Sequence, residues 1–80
     1  MNQIDGRLQE IAREVFRNDS LVLTDSARPG EVPGWDSLAH MNFMLGVEEE
    51  FGVEFSEDEF AHFVDIGELK RTLAEKVVAA

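Results

Sequence analysis

The chain contains no cysteine and no tyrosine, only 2 prolines, and 7 basic residues against 17 acidic ones. Without cysteine there is no disulfide framework, no thiolate metal site and no cysteine nucleophile. With so few basic residues the net charge is -10. That charge repels phosphate backbones and anionic lipid surfaces, which disfavours nucleic-acid and membrane partners. It favours a protein partner with a basic surface. No apolar run approaches the ~18 residues that would span a bilayer. Met1-Asn2-Gln3-Ile4-Asp5 lacks the basic and apolar regions of a secretory signal, so the expected address is the cytoplasm. At 80 residues the expectation is one domain over 1–80, a monomer with a thin core and little chain to wall a deep active site. Hydrophobic residues at 44% and charged residues at 30% place it among globular rather than disordered chains.

What is present is mostly helical patterning. Ile4, Leu8, Ile11 and Val15 recur at steps of four, three and four, with Ala12 and Phe16 widening the stripe, which predicts an amphipathic helix over 3–17. Asn18-Asp19-Ser20 breaks it. A long segment over 18–36 follows, with Leu21, Val22 and Leu23 as apolar pins and Trp35 as a second anchor. Loops this long are uncommon in compact domains and are often functional. A second helix is predicted over 37–51, capped by Asp36 or Ser37 and stopped by Gly52. Ser56 and Glu59 form a capping box that opens a short helix over 57–63. Asp65 and Glu68 repeat the pattern ahead of a fourth helix over 66–78, with Ile66, Leu69, Leu73 and Val77 inward. The fold class is therefore all-α, a four-helix bundle with a long first loop and a short third helix.

The second helix has two apolar faces. With Leu38 at 0° and 100° per residue, Phe43, Val47, Phe51 and Met44 cluster at about 140–240° and form the core side. Leu38, Met41 and Leu45 lie within about 60° of 0°, with Glu48 and Glu49 in or beside them. Burying two unpartnered carboxylates is costly, so this second strip reads as a partly exposed docking surface with a charged rim.

Catalytic arrangements do not emerge. His40 and His62 are the two histidines, and His40 falls toward the core side of its helix, as a packed or rim residue. No orienting acid or oxyanion loop accompanies Ser37, and no calcium or phosphate-binding loop is present. No metal ligands are assigned, and the protein is not expected to be an enzyme.

One constellation remains. Gly34-Trp35-Asp36-Ser37-Leu38 follows a long loop and opens a helix that closes on Glu48-Glu49-Glu50-Phe51-Gly52. Val53-Glu54-Phe55 and an acidic short helix come next. Together these resemble the acyl carrier protein family, and the likeness covers nearly the whole chain. The resemblance implies the four-helix fold of that family and a 4′-phosphopantetheine arm, taken from coenzyme A and attached to Ser37. It implies that Asp36 is the neighbouring acid that helps to hold magnesium during transfer. The arm brings the thiol that the chain lacks. Implied partners are a phosphopantetheinyl transferase and acyl-loading and acyl-processing enzymes whose basic patches meet Leu38, Met41, Leu45, Glu48 and Glu49. The pathways the resemblance implies are fatty-acid, polyketide or specialised ones; Pro33-Gly34-Trp35 looks more like carriers of polyketide, amino-acid-loading or other specialised pathways, and Asn42, where many fatty-acid carriers place an acid, thins the rim of the second helix. Gly46 costs ~1 kcal/mol relative to alanine in a helix and suggests close approach by a partner or neighbouring helix. Alternatives are an aminoacyl or peptidyl carrier, of a nonribosomal or D-alanyl-type pathway, and an unmodified acidic docking module.

Overall fold

The computed structural model describes residues 3–61 and 63–79, so His62 lies outside the described residues. Four helices follow one another: α1 (Gln3–Val15), α2 (Ser37–Phe51), α3 (Glu57–Ala61) and α4 (Ile66–Ala79). There is no strand among the described residues. The core joins Leu8 and Ala12 of α1, Phe43, Met44 and Val47 of α2, and Ile66, Leu69 and Leu73 of α4. Each such large side chain contributes about 1.5–3 kcal/mol by leaving water. At Gly46 an added Cβ would stand 3.2 Å from Ile11 Cγ2, so the neighbour that this glycine admits is α1.

α1 stops two residues short of the predicted end. Arg17 turns left-handed at φ 54. Asn18 N–H then reaches Arg13 O at 2.9 Å and Arg17 N–H reaches Glu14 O at 3.3 Å. This paired closure satisfies carbonyls that a helix end leaves free. α2 ends where expected, with Gly52 at φ 65 donating its N–H to Glu48 O. α3 is shorter than predicted, and Phe63 lies outside it.

The long loop is tied at many points. Arg13 Nε donates to Leu21 O at 2.7 Å and Leu23 N–H donates to Gln9 Oε1 at 3.1 Å. Leu23 is buried and Leu21 half-buried, whereas Val22 is 68% exposed. Extended backbone sends alternate side chains to opposite sides, so three consecutive residues cannot all be pins. Further along, Ile66 N–H donates to Ala27 O at 2.9 Å and Gly67 N–H to Asp25 O at 2.8 Å. Loop carbonyls thus serve the orphan donors at the start of α4. Lys70 Nζ lies 2.6 Å from Asp25 Oδ1 and 2.9 Å from Asp5 Oδ1, joining α4, the loop and α1. Among the described residues, no helix is long and apolar enough to cross a membrane.

Candidate functional site at the loop to α2 junction

The loop reaches α2 through Gly34, at φ 86, where an added Cβ would stand 3.1 Å from the Phe16 carbonyl oxygen. That close passage delivers the Trp35 side chain into the core. The indole stacks on Phe16 with centroids 4.9 Å apart, meets Phe43 edge-on at 5.5 Å and lies tilted to Phe63 at 6.1 Å. Trp35 is only 4% exposed, which makes it the loop's main anchor.

Asp36 follows in extended conformation and caps α2, its Oδ1 accepting the Ala39 N–H at 2.8 Å. Ser37 is the first residue of the helix and is exposed. With Asp36 doing the capping, no hydrogen bond within the described chain engages the Ser37 hydroxyl, and Asp36 Oδ2 is likewise unused. The N-terminus of α2 carries positive partial charge and free N–H groups, which suits an anionic group at this end. Beside Ser37 lies an open recess of about 610 Å³, walled by Pro29, Trp35, Asp36, His40, Met41 and Phe60 among others.

His40 is half-buried one turn into α2. Its Nδ1 accepts from Trp35 Nε1–H at 3.1 Å, so the ring proton sits on Nε2, which donates to Phe60 O at 2.9 Å. The ring also stacks on Phe63 at 5.5 Å. Both nitrogens are therefore engaged, and neither is available to take a proton from Ser37. The Trp35–His40–Phe60 chain was not legible in the sequence, which gave Trp35 as an anchor of the loop and His40 as a packed or rim residue with no bond between them. The spacing of 20 residues between His40 and Phe60 O carries no local signal. No cluster of three His, Cys, Asp or Glu residues that could hold a metal occurs among the described residues.

The predicted docking residues are distributed unevenly. Leu38, Met41 and Leu45 are exposed by 67%, 50% and 49%. Met41 borders the recess beside Ser37, while Leu45 and Glu49 border a second groove of about 650 Å³ between α1 and α2. Glu48 is half-buried, and its Oε2 accepts the Phe55 N–H at 2.9 Å. Its carboxylate therefore works inside the fold, holding the link to α3, rather than as a free rim charge. Glu50 pairs with Arg7 of α1. Acids at a helix C-terminus oppose the helix dipole by about 0.3–1 kcal/mol each. Two of the three are compensated by these partners; Glu49 has none among the described residues.

A solved structure shares this architecture. No protein-family model matches the chain. The solution structure of a holo acyl carrier protein from Geobacter metallireducens is similar to it, with 31% sequence identity and a TM-score of 0.83. The match covers 94% of this chain and 86% of that one. An all-helical bundle with a long first loop, a serine presented at the head of α2 and this degree of likeness along nearly the full length lead to one conclusion: the chain belongs to the acyl carrier protein family.

Proposed function

We propose that residues 1–80 act as one carrier domain that is modified with 4′-phosphopantetheine at Ser37 and presents acyl groups to separate biosynthetic enzymes. Carriers of this family are not enzymes. The arm supplies the thiol on which an acyl group is held as a thioester. The observation that carries the reading is the division of labour at the helix start: Asp36 caps α2, and the adjacent Ser37 hydroxyl is exposed and unbonded. The residues suit the group. A phosphodiester on Ser37 meets the positive end of α2, and Asp36 Oδ2 remains available to a magnesium ion during transfer. In that transfer the Ser37 Oγ–P bond forms and the pyrophosphate bond of coenzyme A breaks. The adenosine bisphosphate leaves, and the transferase supplies the base that takes the serine proton.

Partner enzymes with basic patches would dock on Leu38, Met41 and Leu45, with Glu49 as the free rim charge and Glu48 contributing mainly by holding the α2 end in shape. The deciding experiment is intact mass after incubation with a phosphopantetheinyl transferase, coenzyme A and magnesium. The wild type should gain one phosphopantetheinyl group and Ser37→Ala should gain nothing. A wild type left unmodified by several transferases would favour an unmodified acidic docking module instead.

A further inference from the structure

An apolar cargo tethered near Ser37 has two places to escape water: the open recess at the surface, or the bundle core behind it. What separates the two is a wall built from three elements. Trp35 closes it from the loop, packed against Phe16 and Phe43 at centroid distances of 4.9 and 5.5 Å. His40 closes it from α2, stacked on Phe63 at 5.5 Å and edge-on to Phe60 at 6.5 Å. The Trp35 Nε1–H to His40 Nδ1 bond and the His40 Nε2–H to Phe60 O bond then tie the loop, α2 and α3 together across the gap. Phe60 lies in the five-residue helix α3, whose C-terminal carbonyls have no partners within so short a helix, so the imidazole satisfies a group that otherwise needs water. Opening the wall breaks both bonds and strands the indole N–H, which is costly in a buried setting. Phe43, against which Trp35 packs, is fully buried, and so are the core residues Met44 and Leu69.

We infer that the Trp35–His40–Phe60 chain shuts the core of this carrier, and that its cargo rests in the surface recess between Pro29, Met41 and Phe60. The cargo class is then acyl groups short enough for an open recess, and His40 is the residue that sets this specificity. It acts as a positioning residue, through Trp35 and α3. The inference rests on the proposed attachment at Ser37.

The test loads the protein with acetyl, hexanoyl and decanoyl arms from the corresponding coenzyme A thioesters, each confirmed by intact mass. Methyl and aromatic NMR spectra, melting temperature and the rate of thioester cleavage by hydroxylamine are then compared. In the wild type, shifts should be confined to residues of the recess such as Met41 and Ala61. Melting temperature and cleavage rate should be the same for all three chains. Trp35→Phe keeps an aromatic ring but removes the N–H donor. In it, and in His40→Ala, the decanoyl thioester should be cleaved several-fold more slowly than the acetyl one, with new shifts at Met44 and Leu69. In the unmodified protein, nitrogen-15 spectra should show His40 protonated at Nε2, and Trp35→Phe should disturb that state. Chain-length-dependent shifts at Met44 and Leu69 in the wild type overturn the closed core. Variants that treat all chains alike overturn the role of the His40 chain. Failure to gain mass at all overturns the attachment at Ser37 instead, so the two readings fail separately.

Discussion

Gly34 passes so close to Phe16 that the carbonyl oxygen of Phe16 lies 3.1 Å from where a Cβ at Gly34 would be. The contact is with backbone, so neither side can yield by rotating a side chain. The φ of 86 at Gly34 adds a second penalty for any L side chain. Gly34→Ala should therefore destabilise the fold by about 1–3 kcal/mol. Because the same passage seats Trp35, the variant should also show altered indole fluorescence in its native baseline. A variant as stable as the wild type, with an unchanged baseline, would show that the loop accommodates the methyl group elsewhere.

Stability and modification should separate at the helix start. Ser37→Ala should change stability by no more than about 0.5 kcal/mol, because the Ser37 hydroxyl makes no hydrogen bond among the described residues. Asp36→Asn should keep the cap, since asparagine caps as well as aspartate, yet slow the transferase by removing the carboxylate proposed to hold magnesium. Asp36→Ala should do both, losing about 1 kcal/mol as well. Chemical denaturation and time-resolved intact mass read the two effects independently.

The proposed docking surface on α2 makes a graded prediction. Glu49→Lys should slow association with a cognate enzyme, and the wild-type rate should itself fall as salt rises, since screening acts over ~8 Å at physiological ionic strength. Met41→Ala should speed dissociation while leaving helicity intact, because Met41 is half exposed. Glu48→Ala should act differently and destabilise the fold by about 1–2 kcal/mol, since it orphans the Phe55 N–H. Kinetics of enzyme binding by surface resonance, set beside urea midpoints, would distinguish them. Equal effects of the Glu48 and Glu49 changes on association alone would contradict this division.

Two titrations should shape the pH dependence. A hydrogen bond from Lys76, with the Ser56 N–H next, holds the Glu59 carboxyl below its usual 4.5. Its stabilisation is present above 4.5 and is lost as pH falls through the lower, folded value. Burial alone would lower Lys70, but its hydrogen bonds to Asp25 and Asp5 outweigh that and raise it above 10.5. That contribution is present below 10.5 and is lost as pH rises through the folded value. Lys76→Met should therefore flatten the acid limb of a stability profile, and Lys70→Met the alkaline limb. Urea midpoints across pH check both.

Arg17 sits at φ 54, in the left-handed region at the end of α1. An L residue there costs about 1–2 kcal/mol, and glycine's extra freedom in the unfolded chain returns about 0.5–1 of it. Arg17→Gly should raise stability by about 0.5–1 kcal/mol, seen as a higher urea midpoint at unchanged slope.

The helices were legible from the sequence because their causes are local. The bounds of α2 follow from Asp36 at one end and Gly52 at the other, and both act on backbone groups within a few residues. The capping box at α3 is equally local: Ser56 N–H reaches Glu59 Oε1 at 2.9 Å and Glu59 N–H reaches Ser56 Oγ at 3.2 Å. The two-faced character of α2 was legible too, since a helix projects its residues at a constant angle. Other features were decided by the tertiary structure alone. Whether Glu48 is a rim charge or an internal tie depends on where the chain returns after Gly52, and it returns with the Phe55 N–H within reach. The early end of α1 depends on Arg17 accepting a left-handed turn so that the loop can cross Phe16. The chain from Trp35 through His40 to Phe60 joins a loop and two helices across long sequence separations, and Lys70 joins Asp5 to Asp25 in the same way. Periodicity and capping act over one or two turns of chain, whereas these bonds exist only after the elements have packed, and packing chooses among partners that sequence spacing does not distinguish.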